Sequence, residues 1–152
     1  MISSWLNNNN YKTKLLYRCS EDGDDSSIFH SKCNDISPTI VLIKTKDNIK
    51  FVGYTSARWN NVEDYSSDKN AFIFSLSKKK KYLIKKYEKA IFGGKINGPI
   101  FGTNEIYIRN KCLSEGGANS NYNNIYGLEN SGELNNGKEN FDVVDYEVYQ
   151  IN

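Results

Sequence analysis

The 152 residues, 38% hydrophobic, 25% charged and 13% aromatic, fit one domain and leave no room for two folded ones. Eleven Tyr, seven Phe and two Trp supply a core, which excludes disorder of the whole chain. Twenty Lys and Arg against eighteen Asp and Glu leave a net charge of +2, too weak a field to indicate nucleic-acid binding, so any basic surface must be local.

Residues 1–11 read as a helical or disordered lead, with one helical turn around Trp5 and Leu6 ended by Asn7 to Asn10. Residues 12–152 form the domain. Lys14 to Arg18 is a short apolar run, and Glu21 to Asp25 an acidic turn. Asp25 or Ser26 caps a helix carrying Ile28, Phe29 and Cys33, which Asn34 and Pro38 stop. The pattern then changes to period two: Thr39–Thr45 and Lys50–Thr55 flank the turn Lys46 to Asn48 and make a β-hairpin. Asn60 to Lys69 reads as loop, and Ala71 to Leu76 as a buried strand. From Lys78 to Phe92, Leu83, Tyr87, Ala90 and Ile91 fall at helical spacing while Tyr82 and Ile84 alternate as in a strand. Periodicity leaves both open. Glu105 to Arg109 and Phe141 to Ile151 are further strands, separated by a long Gly-, Asn- and Ser-rich loop from Ser114 to Asn140. In the closing strand Val144, Tyr146 and Val148 are expected on one apolar face, opposite Val143, Asp145, Glu147 and Tyr149. The class is α+β: a small helical part against a largely antiparallel sheet system.

No apolar run reaches the ~20 residues of a membrane span, and Asn7 to Asn10 replace the apolar core of a signal peptide, so a cytoplasmic protein is expected. Cys19, Cys33 and Cys112 form no C-x-x-C and cannot all pair within the chain, which fits reduced thiols. His30, the single histidine, and Cys33 lie three apart on the helix, but with Cys19 and Cys112 their spacings match no zinc module, and no metal is expected. Asp22, Asp24 and Asp25 have the look of a calcium loop, yet the closing Glu would fall at Cys33. No nucleophile elbow, phosphate loop or dinucleotide fingerprint occurs. Lys78, Lys79, Lys80 and Lys81 are the strongest charge feature, either anion contacts or a solvated guard on a strand edge, with no aromatic signature for specific nucleic-acid binding beside them.

Leu15 to Arg18, Asp22-Gly23, Ser27 to Cys33, Pro38-Thr39, Phe51 to Tyr54, the aromatic strand Ala71 to Leu76, the turn Gly98-Pro99-Ile100-Phe101-Gly102 and the closing Asp145 to Tyr149 occur in an order that resembles the TLDc, or oxidation-resistance, domain family. The resemblance implies a mostly antiparallel β-sandwich flanked by short helices. It implies no catalytic residues and no cofactor, and a protein-interaction role linked to oxidative-stress resistance and to subunits of the vacuolar proton pump. It also favours a hairpin tip at the Lys run and a strand over Tyr82 to Lys85. Gly53, Gly102 and Glu147 match the family's most recognisable motifs and are the candidate partner-binding residues; a bulge or turn is the structural reading of both glycines. Val52 stands where many members carry Gly, and Tyr149 where Trp is commoner. The family domain usually opens with a further segment ahead of the residues matched by Trp5 and Leu6, so an exposed sheet edge is an expectation. The rival readings are a peroxide-reactive thiol protein using Cys19, Cys33 or Cys112, and an anionic-surface binder acting through Lys78 to Lys81.

Overall fold

β-branched and aromatic residues in period two build the centre of the molecule. The computed structural model describes residues 10–152. Strands β2 (Thr39–Thr45) and β3 (Lys50–Thr55) form the expected hairpin, pairing from Thr39↔Thr55 to Lys44↔Lys50. Around it an antiparallel sheet runs in the order β1-β12-β2-β3-β5-β6, with β1 Thr13–Arg18, β5 Phe72–Ser75, β6 Lys80–Leu83 and β12 Val143–Ile151. A second antiparallel sheet packs on it, in the order β11-β10-β9-β8-β7-β4. Apart from β9 (Ile106–Ile108), its strands are two residues long: β4 Tyr65–Ser66, β7 Ile91–Phe92, β8 Ile100–Phe101, β10 Ala118–Asn119 and β11 Asn140–Phe141. The molecule is a mostly antiparallel β-sandwich with a few short helices.

The helices lie at the start of the described chain. Helix α1 is the single turn Cys19–Asp22, ended where Gly23 takes φ +109°, and α2 is Ser26–Cys33. Asp25 caps α2 by accepting from the Ser27 amide at 2.9 Å, while Phe29 and Cys33 face the core. Single helical turns also occur at Tyr87–Lys89, Cys112–Gly116 and Glu133–Asn135.

The inner face of the first sheet presents one unbroken row: Tyr17, Val148, Val41, Gly53, Ile73 and Tyr82 are successive cross-strand neighbours from β1 to β6. All are buried, and they meet Ile91, Phe101, Ile106 and Ile108 of the second sheet. Burial of this apolar surface, at ~25 cal/mol per Å², is the main favourable contribution to folding. The outer face carries a smaller apolar cluster of Ile40, Val52 and Ile151, with Tyr11, Leu42, Tyr54, Phe74 and Leu76 packed against it.

Several elements differ from the sequence-based expectation. The apolar run at Leu15 is a strand, β1, and β4 lies inside the predicted loop of Asn60 to Lys69. The helical alternative for Lys78 to Phe92 is excluded: β6 pairs with β5 from Lys80↔Ser75 to Leu83↔Phe72, two residues before the expected span, and Ile84 bridges to Tyr126. The loop from Ser114 to Asn140, expected to hold at most short strands such as Asn124 to Tyr126, holds the two-residue β10 and also the helical turn Glu133–Asn135 and the end of Cys112–Gly116. In β12 a bulge places Val143 opposite Thr45 and Asp145 opposite Lys44, so the extra residue, Val144, points outward and is 47% exposed, while Val143 is buried. The alternation therefore breaks at the bulge and holds from Tyr146 to Val148. The turn expected around Trp5 and Leu6 lies outside the described residues.

Candidate functional site

Gly53 and Gly102 come together around one ring. Phe101 fills the notch that Gly53 leaves in the inner row, where a β-carbon on Gly53 would stand 2.4 Å from the ring. Gly102 adopts φ +66°, a conformation that side chains resist, and its amide donates to the Ala90 carbonyl at 2.9 Å. A β-carbon there would meet Glu105 Oε1 at 2.5 Å. Both glycines are buried between the sheets, where they shape the core.

Glu105 was not singled out by its sequence context, yet it organises this region. Buried completely, its Oε1 accepts from the Thr103 amide at 3.1 Å, and its Oε2 from the Ile125 and Tyr126 amides at 2.7 and 2.8 Å. Burial raises its pKa above the ordinary carboxylate range against the opposing pull of those amides. The available signal was an acidic residue directly after a turn and before an apolar strand.

Glu147 lies on the other side of the first sheet. It pairs across the strands with Arg18, whose Nη2 is 3.5 Å from Glu147 Oε2, and it accepts the Tyr149 hydroxyl. Arg18 Nη1 reaches Glu21 at 2.9 Å, and Glu21, then Glu147, hold the guanidinium firmly charged. The side chains of Arg18 and Glu147 are 32% and 21% exposed, so the pair is a fixed polar group open to solvent.

Lys81 belongs to the same outer row, which runs Arg18, Glu147, Leu42, Val52, Phe74, Lys81 across all six strands. At a strand spacing of ~4.8 Å, the charged ends of the row, Arg18 and Lys81, are about 24 Å apart along the sheet. Lys81 Nζ sits over the Phe72 ring at 4.1 Å, and Lys80 Nζ lies 3.4 Å from Glu129 and 3.5 Å from Glu133. Lys78 and Lys79 form the hairpin tip, with Lys79 at φ +52°.

The other sequence candidates are engaged internally. The His30 Nε2 contacts the carbonyls of Gly94 and Asn97 at 2.8 and 2.9 Å, and its Nδ1 contacts Asn34 Oδ1 at 2.8 Å, so the imidazole pins α2 to the 94–97 loop. A cleft of about 490 Å³ opens beside it, lined by α2 together with Asn61, Lys95, Ile96 and Asn110. Asp22 meets Lys32, Asp24 holds the amides of Leu113 and Ser114, and Asp25 caps α2, so the three carboxylates point to three different tasks. Among the described residues no three His, Cys, Asp or Glu side chains converge as a metal site requires. Cys33 is buried and apart from the other thiols, and burial pushes its pKa up to about 12. Cys19 and Cys112 lie together in the core.

What this arrangement offers is a rigid antiparallel sandwich whose open polar groups are held on a sheet face. The chain belongs to the TLDc domain family, whose model matches residues 1–152. It is also similar to the GTPase-activating protein skywalker of Drosophila melanogaster, with 35% identity over 75 residues, which cover 43% of this chain and 13% of that protein. The match is thus to a small part of a much longer chain. Among the described residues no helix is long and apolar enough to cross a membrane.

Proposed function

We propose that this domain is a non-enzymatic protein-interaction module that works in the cytoplasm, contributes to oxidative-stress resistance and engages subunits of the vacuolar proton pump through the Glu147 end of its first sheet. Membership of the TLDc family supports an interaction role. The observation that carries the site is the Arg18–Glu147 pair: two opposite charges, pre-positioned by strand register and by Tyr149, present a defined polar pattern on a rigid face. Preorganised charges of this kind contribute more to specificity than to raw affinity. Gly53 and Gly102 serve the interaction indirectly, by setting the core beneath it.

The anionic-surface reading is the weaker one. Two of its four lysines are already committed, Lys80 to Glu129 and Glu133 and Lys81 to the Phe72 ring. The GTPase-activating role named for the fly relative is not carried over, because the similar segment is 13% of that protein.

The test is affinity capture with purified pump subunits, comparing the natural chain with Glu147→Gln. Retention of a subunit by the natural chain and its loss in the variant supports the proposal. Equal retention by both removes Glu147 from the interface, and no retention by the natural chain removes the pump as partner.

A further inference from the structure

Two cysteines separated by 93 residues, Cys19 and Cys112, meet with their sulfurs 3.7 Å apart. Cys19 opens α1 and Cys112 opens the turn Cys112–Gly116. The approach is built from both sides. Asp24 accepts from the amides of Leu113 and Ser114 at 3.2 and 3.0 Å and from the Ser114 hydroxyl at 2.8 Å, and its carbonyl accepts the Lys111 amide at 2.9 Å. Those bonds dock the Cys112 turn against the corner after α1. From the other side the Ser20 amide and hydroxyl donate to Asp145 at 2.9 and 2.6 Å, which ties the Cys19 turn to β12. Tyr17 and Tyr146, with ring centres 5.1 Å apart, pack alongside. Cys19 and Cys112 are 1% and 4% exposed.

We propose that Cys19 and Cys112 are a dithiol site that a hydroperoxide converts to an intramolecular disulfide, locking the β1–α1 corner to the turn Cys112–Gly116. A disulfide has sulfurs ~2.05 Å apart, so closure requires the two sulfurs to approach by about 1.7 Å. The contact between the thiols lowers the Cys19 pKa, against burial, and together with burial raises that of Cys112. Either sulfur can attack first, and the course with Cys19 leading serves for both. The Cys19 thiolate takes the terminal oxygen of the hydroperoxide, the O–O bond breaks, and the alkoxide or hydroxide that leaves gains the proton Cys19 gave up. Cys112 then attacks the Cys19 sulfenic acid, the S–O bond breaks, and the Cys112 proton leaves with the hydroxyl as water. In sum two thiols and one hydroperoxide give one disulfide, one alcohol or water, and one further water. The inference is independent of the partner assigned above.

The test uses the reduced full chain and hydrogen peroxide, read by intact mass, thiol titration and a non-reducing peptide map. Expected are the loss of two hydrogen atoms per chain, a peptide linking Cys19 to Cys112, one remaining thiol at Cys33, and recovery of all three thiols with dithiothreitol. Cys33→Ser should give the same linkage, and Cys112→Ser or Cys19→Ser should abolish it and leave the remaining thiol of the pair as a sulfenic acid that dimedone traps. Oxygen addition without linkage in the natural chain, a dimer joined through Cys33, or an unchanged mass while a small thiol in the same tube is consumed would each overturn the proposal.

Discussion

At Gly53 the absence of a side chain is itself a contact. Phe101 enters the notch and is held there by Trp59 and Tyr126, at ring distances of 5.4 and 6.4 Å, so it has nowhere to move. Gly53→Ala should therefore cost about 1–3 kcal/mol, the usual range for overpacking, and Phe101→Leu in the same chain should recover part of it. Urea unfolding midpoints decide the matter; an unaffected Gly53→Ala midpoint would mean that the ring shifts freely. Two neighbours in β12 should behave in opposite ways. Tyr146 is buried against Tyr17 and Phe29, and Tyr146→Ala should cost about 3–5 kcal/mol. Glu147→Gln loses only a part-exposed ion pair, worth about 0–1 kcal/mol, and should remain folded while partner binding weakens. Thermal melts of both variants test this, and a Glu147→Gln melt as low as that of Tyr146→Ala would place the carboxylate in a structural network. The family resemblance marked Gly53, Gly102 and Glu147 but could not supply their partners. Phe101 and Arg18 are too distant along the chain for periodicity or spacing to connect them.

The β5–β6 hairpin divides its lysines by position. Lys78 and Lys79 occupy the turn, whereas Lys80 neutralises Glu133, a buried carboxylate that also accepts from the Tyr82 hydroxyl at 2.8 Å and the Glu129 amide at 2.5 Å. Replacing Lys78 by Gln and Lys79 by Gly should leave stability within about ±0.5 kcal/mol, because Gly accepts the positive φ that Lys79 resists. Lys80→Gln should lower the melting temperature more than that pair, and a reversed order would remove Lys80 from the Glu133 network. The elements legible in the sequence were those with enough residues to display a period, β2, β3, β5, β12 and α2, together with β9 inside its apolar run. Two-residue strands such as β4, β7 and β10 have none, since a single pair carries no alternation and their existence depends on the partner strand. The Val144 bulge was hidden for a related reason. Three apolar residues alternate on paper, and only the register against β2 shows that one of them is an insertion.

Across the whole molecule the acidic groups act with two signs. Asp22, through the Arg18 amide and Lys32, and Asp25, through the Ser27 hydroxyl and amide, have pKa values below the ordinary carboxylate range. In Glu133 burial pushes upward, but the Glu129 and Asn130 amides, Tyr82 and Lys80 prevail and lower it. A lowered pKa in the folded state gives stability that is present above the ordinary value and lost as pH falls through the folded one. Glu105, raised by burial, works the other way and favours the fold at lower pH. With three groups against one, the melting temperature should decline as pH falls below about 4, and Glu133→Gln should flatten that decline. Melts across the acid range would show it; a melting temperature that rises on acidification would mean that Glu105 dominates. The position of β12 has a consequence of another kind. It is the last strand in chain order, yet it lies inside the first sheet between β1 and β2, and Lys12 and Asn152 exchange hydrogen bonds at 3.0 and 2.8 Å. During synthesis β1 and β2 must therefore wait with unpaired edges until β12 has left the ribosome, so the nascent domain stays open to misassociation for the whole time its intervening strands are being made.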